Sequence, residues 1–225
     1  MTFSVVARCA MSGQFGVAIS SSSPAVAARC AHARAGIGAV TTQNITNPAL
    51  GPLMLDQLAA GRDSVNAVSM AIKVDEFSEY RQLLAIDKHG ITAVHSGAHS
   101  LGLWNTSHGI NCVTGGNLLA TSEIPQAMVL AFESATGSLG DRLLQSMRAA
   151  LDLGGEIGPL RSAGLLIVHE QSWPYADLRV DWADDTRPIE ALARAWEIYK
   201  PQADQYVMRA LKPTDADSFG VPGNL

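Results

Sequence analysis

The first 55 residues contain no aspartate, no glutamate and no lysine. Their only charges are Arg8, Arg29 and Arg34, so this stretch carries +3 while the remaining 170 residues carry −8. Within it, residues 3–9, 15–21 and 36–43 are nearly continuous in small, apolar and β-branched residues. Runs of that kind read as strands covered on both faces, because a half-wet sheet alternates with polar and charged side chains. Ala10-Met11-Ser12-Gly13-Gln14 supplies a turn, with Gly13 free to take positive φ, so the first two strands form a hairpin. The opening stretch is therefore expected inside a layered molecule.

The rest of the chain supplies the covering layers. Helical spacing runs through residues 52–60 and 63–74, with Asp63 as N-cap. Residues 83–87 and 91–95 flank Lys88-His89-Gly90, a second hairpin signal. A short strand over 110–114 runs into Gly115-Gly116-Asn117. Ser122 can cap a helix over 123–134, followed by a helix over 139–151. Strands over 163–169 and 176–180 precede helices over 188–199 and 202–211. Strands in twos and threes with hairpins imply antiparallel pairing, and helix pairs between them imply outer layers. The expected fold class is α+β, a four-layer αββα sandwich of two mainly antiparallel sheets. No linker or repeat divides it, so 1–225 is expected to form a single domain with an irregular tail over about 212–225.

Composition removes several functions. Charged residues make up 16% of the chain and net charge is −5, against about 25% charged in ordinary domains. Ample apolar content excludes disorder, and the absence of a basic excess argues against nucleic acid. No apolar run approaches the roughly 20 residues of a membrane span. The N-terminus has no basic segment followed by an apolar one, so the protein is expected to be cytoplasmic. Cys9, Cys30 and Cys112 are odd in number and widely spaced, which fits neither a disulfide framework nor structural zinc. They read as small buried hydrophobes, with a nucleophilic cysteine as the lesser alternative. There is no phosphate-binding Gly-Lys-Ser/Thr, no Ser-x-x-Lys, no Gly-x-Gly-x-x-Gly after a strand and no Gly-x-Ser-x-Gly. No cofactor is expected.

Hairpin geometry singles out Thr2. If Cys9 pairs near Phe15, Thr2 falls opposite Ser22, beside Ser20, Ser21 and Ser23. Removal of Met1 would give Thr2 a free α-amine next to its own Oγ. Such an amine titrates at about 7.7–8 in isolation and can activate the hydroxyl for nucleophilic attack. Nearby arginines and missing carboxylates would keep it neutral and basic. Ser21 and Ser22 either orient that amine or satisfy strand-end backbone groups.

The chain also resembles an uncharacterised family of N-terminal-nucleophile (Ntn) hydrolase-like proteins related to the proteasome β-subunit fold. The resemblance rests on residues 2–8, 15–19 and 35–43, on Gly116-Asn117-Leu118-Leu119, on Arg161-Ser162-Ala163, on residues 177–181 and on Gly220-Val221-Pro222-Gly223. It implies the αββα sandwich and amide-bond hydrolysis with Thr2 as nucleophile. Proteasome-like relatives use a lysine and an aspartate beside the nucleophile. Here the matching neighbourhood holds only arginines and serines.

Other residues take roles around Thr2. Thr42 and Gln43 end the third strand and can line the same sheet edge as substrate contacts. Asn117, after two glycines, can donate to an oxyanion; Gly115-Gly116-Asn117 reads equally as a tight turn. Arg34 can meet an anionic substrate group, or be a solvated loop charge. Arg8 shares the Thr2 face but lies some 20 Å along the strand. The expected activity is hydrolysis of a small linear amide, formamide or ureide in nitrogen-compound catabolism, by a homo-oligomer. One alternative is a metal-dependent hydrolase built on His89, His95, His99 and His108. Its weakness is the missing acidic ligand, since Asp87 is the only carboxylate between Tyr80 and Glu123. The other is a non-catalytic binding or assembly protein on the same fold.

Overall fold

A computed structural model describes residues 2–218. Side-chain alternation in the first strand sets its architecture. In β1 (Thr2–Arg8), Phe3, Val5 and Ala7 are fully buried against one set of helices, while Val6 packs toward a second sheet. Alternation puts Thr2 and Ser4 on the Val6 face. A hydrogen bond from Ser4 Oγ to Gln43 Oε1 across the sheets, 2.7 Å long, has the same consequence.

Beyond β1, the chain runs β2 (Phe15–Ser21), α1 (Val26–Cys30), β3 (Ala31–Arg34) and β4 (Gly38–Asn44). Then follow α2 (Leu50–Ala59), α3 (Ser64–Val74), β5 (Arg81–Asp87), β6 (Thr92–Ser96), β7 (Asn105–Gly109) and β8 (Cys112–Asn117). The last elements are α4 (Ile124–Ser134), α5 (Leu139–Asp152), β9 (Ser162–Val168), β10 (Ala176–Val180), α6 (Pro188–Tyr199) and α7 (Ala203–Leu211). One sheet has the order β10-β9-β2-β1-β8-β7 and the other β3-β4-β5-β6, all antiparallel.

Three apolar layers hold these together. Between the sheets lie Val6, Val17 and Ile19 against Ala39, Leu84 and Ile86. Outside the first sheet, Phe3, Val5 and Leu165 meet Met128, Leu143 and Trp196 of α4, α5 and α6. Outside the second, Val40, Leu83 and Ala85 meet Met54, Leu58 and Val68 of α2 and α3. The result is the expected αββα sandwich, and its doubly covered sheets explain the charge-free opening of the sequence. No helix of the described residues is long and apolar enough to cross a membrane.

Local departures have local reasons. The first hairpin is one residue tighter than expected: Phe3 pairs Ser20 and Arg8 pairs Phe15, so Thr2 falls opposite Ser21, not Ser22. Helix α1 has five residues, too few to show a helical period. Strand β7 is Asn-Thr-Ser-His-Gly, a polar strand at the sheet edge, where charge and polarity discourage pairing with another chain. Gly115-Gly116-Asn117 is not a turn but the last half of β8. A Cβ on Gly116 would sit 3.0 Å from Phe3 Cβ and 3.1 Å from the Thr2 carbonyl oxygen, so glycine is what lets β1 lie that close. Glu123, not Ser122, is the α4 N-cap. Residues 213–215 of the tail form one 3-10 turn, and Gly220-Val221-Pro222-Gly223 lies outside the described residues, as does Met1.

Candidate active site

Strand β1 lies between β2 and β8, and it begins at Thr2. Thr2 pairs with Asn117 on one side, and the hairpin register sets it beside Ser21 on the other. All three are buried and face the opposite sheet, forming a row at one end of the sandwich. Thr2 Oγ1 donates to Ser21 Oγ at 3.4 Å. Ser21 Oγ lies 2.9 Å from Ser23 Oγ and accepts from the Ser23 amide at 3.1 Å. Ser23 Oγ in turn accepts from Arg29 Nη2 at 3.1 Å. Arg29 is fixed by its bonds to the carbonyls of Pro24 and Ala25 at 2.6 and 3.2 Å. A guanidinium thus stands at the far end of a hydroxyl chain that starts at Thr2. A cation there favours any negative charge that develops along the chain. Ser22 is half-buried and outside this chain.

Facing the row is a buried amide network. Gln43 Nε2 donates to Gln82 Oε1 at 2.8 Å, and Asn117 Nδ2 donates to the same oxygen at 3.2 Å. Gln82 Nε2 donates to Ser96 Oγ at 3.0 Å and to the Gly116 carbonyl at 3.1 Å. With Ser4 on Gln43, the network links both sheets directly beneath Thr2. Asn117 Nδ2 spends one of its two hydrogens on Gln82, and its buried Oδ1 has no hydrogen-bond partner. An unpaired buried acceptor costs about 1–3 kcal/mol, so this end of the sheet is arranged to receive a donor.

The sequence-expected contacts separate here. Gln43 is part of the network. Thr42 points to the opposite face of β4, on the α2 side, where its Oγ1 donates to the Asn47 carbonyl at 3.2 Å. Thr41 faces inward instead, and its buried Oγ1 has no partner. Arg34 pairs with Gly38, at the end of β4 remote from Gln43, and forms an exposed ion pair with Asp56 at 2.8 Å. Gly38 and Gln43 are five residue steps apart, about 17 Å of strand. Arg34 is therefore not part of the Thr2 row.

One residue that sequence reasoning missed stands at this end. After Asn117 the chain kinks at Leu118, whose φ is 51°. The amides of Leu118 and Leu119 then bond to the carbonyls of Leu101 and Leu103, on the β7 side. On the other side, Ile157 N donates to the Leu118 carbonyl at 2.8 Å and Ala120 N to the Gly155 carbonyl at 2.9 Å. Residues 155–157 thus occupy the place in the sheet that β1 vacates at Thr2. Positive φ at Gly154, Gly155 and Gly158 lets the chain turn in and out of that place. Glu156 is 4% exposed, and neither carboxylate oxygen has a hydrogen-bond partner. Ser22, which continues β2, approaches the carboxylate without closing a well-formed bond. Burial pushes this carboxyl up to about 7, against a smaller downward pull from Ser22. The sequence signal was a lone carboxylate among glycines, Gly154-Gly155-Glu156-Ile157-Gly158.

The histidines do not converge. His95 Nε2 lies 2.9 Å from the Ser78 carbonyl, the His99 ring lies tilted at 36° against Tyr80 with ring centres 4.6 Å apart, and His108 Nδ1 lies 2.7 Å from Thr92 Oγ1. Among the described residues no three His, Cys, Asp or Glu side chains gather as a metal site. Burial pushes the Cys112 thiol up to about 12 and raises that of Cys30, so both are packing residues.

The two stacked antiparallel sheets with helices on both outer faces, and a buried hydroxyl row at the start of a central strand, define the class of molecule. The chain belongs to the Family of unknown function (DUF1028), which it matches over residues 2–192. It is similar to the crystal structure of protein SPO2555 from Silicibacter pomeroyi, of the same family. That likeness has a TM-score of 0.82 and 27% identity over 88% of this chain and 89% of that one. A weaker likeness is to the Anbu (Gly-1) mutant from Hyphomicrobium sp. strain MC1, with a TM-score of 0.44 and 14% identity over 98% and 100% of the two chains. Anbu (ancestral beta-subunit) from Yersinia bercovieri gives 0.39 and 14% over 92% and 97%. No curated protein gives a significant match.

Proposed function

We propose that the chain, once Met1 is removed, is an Ntn-type hydrolase of carbon–nitrogen bonds in a small linear amide, formamide or ureide. The observation that carries this reading is the setting of Thr2. Its hydroxyl stands at the start of a central strand, bonded into a hydroxyl chain that ends on Arg29.

In the proposed reaction the Thr2 α-amine takes the Oγ proton as Oγ attacks the substrate carbonyl. Ser21 orients Oγ, and Arg29 favours negative charge at the far end of the chain. Collapse of the tetrahedral intermediate expels the nitrogen and leaves an ester on Thr2, which water hydrolyses with the amine again as base. The Gln43–Gln82–Asn117 network fixes the floor of the site. The unpartnered Asn117 Oδ1 suits an N–H donor such as the amine or the substrate nitrogen. We read the molecule as a cytoplasmic homo-oligomer. Met11 and Ile110, 97% and 76% exposed at neighbouring hairpin tips, line one cleft and offer an apolar contact.

Intact mass of the protein purified from cells decides whether Thr2 carries the α-amine. With Met1 gone, Thr2→Ala is expected to lose turnover of an amide panel by at least about 1000-fold while keeping the fold. Full activity in that variant refutes the mechanism.

A further inference from the structure

Loss of the scissile nitrogen needs a proton, which either the ammonium formed at Thr2 or a separate acid can supply. Glu156 is a buried carboxyl at this end of the sheet. Its backbone segment, residues 155–157, lies end-on to β1, beside Leu118 and Leu119 of the chain leaving β8. Its side chain reaches Ser22 on the chain leaving β2. The lines of β8 and β2 are two strand spacings apart, roughly 9.6 Å, with β1 between them. A side chain that spans from one to the other must cross the line of β1 just ahead of Thr2. Both oxygens arrive there buried and without a hydrogen-bond partner. Two arginines on neighbouring segments are engaged elsewhere, Arg29 on Ser23, Pro24 and Ala25, and Arg161 on the carbonyls of Ala183 and Asp184.

We infer that Glu156 is the proton donor to the leaving nitrogen, an assignment that rests on the reading of Thr2 as nucleophile. A free α-amine on Thr2 and the Glu156 carboxyl would share one proton at this end of the sheet. Low dielectric favours the uncharged pair, neutral amine and neutral carboxyl, over ammonium and carboxylate. That is the protonation state the reaction requires. The Oγ proton passes to the amine as the Oγ–carbon bond forms. The carboxyl proton passes to the nitrogen as the carbon–nitrogen bond breaks, and a neutral amine departs. An ammonium and a carboxylate remain, and transfer of one proton between them restores the pair. Water then adds to the ester carbonyl, giving its proton to the α-amine, and Thr2 Oγ leaves with that proton. Burial raises this carboxyl above the ordinary range, which suits it to hold a proton closer to neutral pH than a solvated carboxyl does.

The test compares two acetyl donors on the mature wild type, Glu156→Gln and Thr2→Ala. p-Nitrophenyl acetate has a leaving group that departs unprotonated, whereas 4-nitroacetanilide does not. Glu156→Gln is expected to form the acetyl–Thr2 adduct from the ester within about threefold of the wild-type rate, and to lose anilide cleavage by about 100-fold or more. Equal losses on both donors, or none on either, overturn the assignment. A readout without turnover accompanies it. With 15N-labelled Thr2, the wild-type amine signal should show a second titration step as the neighbouring Glu156 carboxyl ionises, and Glu156→Gln should lose that step. An unchanged amine titration also overturns it. Absence of an adduct on wild-type Thr2 removes the nucleophile reading itself, while the amine titration still reports whether Glu156 faces the chain start.

Discussion

At the residue scale, the interior end of the sandwich is organised by amides rather than charges. Gln82 is the hub: its Oε1 accepts from Gln43 and Asn117, and its Nε2 donates to Ser96 and to the Gly116 carbonyl. Gln82→Leu leaves the Asn117 amide without its acceptor and Gln43 Nε2 with only a 3.4 Å bond to the Gly115 carbonyl, and is expected to destabilise the protein by about 1–3 kcal/mol. Urea unfolding of the variant measures this, and a loss below about 0.5 kcal/mol would mean that water replaces the hub. Thr2 was legible in the sequence because a hydroxyl leading straight into a buried strand is a local pattern. Glu156 was not, because its meaning depends on residues 155–157 lying in line with β1, and no local pattern encodes that alignment. Thr42, expected beside Gln43 at the sheet edge, faces the helix layer instead. Both end the same strand, and only the facing sheet decides which side is the slot and which the helix layer.

At the element scale, the start of β1 depends on how closely β8 approaches it. Gly116 pairs Phe3 and has no room for a Cβ, which would lie 2.6 Å from Leu119 Cδ2 as well as close to Phe3 and Thr2. Gly116→Ala is expected to cost about 1–3 kcal/mol by overpacking and to push the Thr2 end of β1 away from β8. Thr2 labelling by p-nitrophenyl acetate should slow in the variant more than its melting temperature alone accounts for; unchanged labelling would show that the strand end tolerates displacement. Element types were largely readable here. Strand β2, strand β10 and helix α6 fall where the apolar pattern placed them, and Asp63 caps α3 by accepting from the Asn66 amide at 2.8 Å. What escaped were α1 and β3, too short for a period, and β7, whose polarity reflects its place at an edge.

Across the whole molecule, two features connect the layers to solution behaviour. Asp141 at the N-terminus of α5 accepts from Lys200 Nζ at 2.7 Å, from Trp196 Nε1 at 2.8 Å and from both the hydroxyl and amide of Ser138. Burial alone would raise this carboxyl, but Lys200, Ser138 and Trp196 together hold it at about 2. Its folded value lies below an unfolded value of about 3.9, so its contribution is present above that pH and is lost as pH falls through about 2. The stability difference between wild type and Asp141→Asn should therefore be largest above pH 5 and shrink toward pH 2. A difference that stays constant with pH would mean that the helix packing, and not the charge, is responsible. The exposed Met11 and Ile110 give the second test. Changing both to lysine is expected to shift the light-scattering mass toward a single chain, and an unchanged mass would place the contact elsewhere.

The sequence by itself determined the layers. Strands without charge must be covered on both faces, helices with one apolar stripe must cover them, and these local constraints leave little besides two stacked sheets between helices. It also determined that the Thr2 hydroxyl would enter the interior, because Thr2 leads into a run of small and apolar strand residues. Only the tertiary structure decided the company that hydroxyl keeps. The one-residue register of the hairpin set Ser21 opposite Thr2, the kink at Leu118 brought Glu156 across the end of β1, and the separation of the strand ends took Arg34 away. Each of these is a relation between segments far apart in the chain, fixed by backbone pairing and side-chain volume rather than by any composition the segments carry alone.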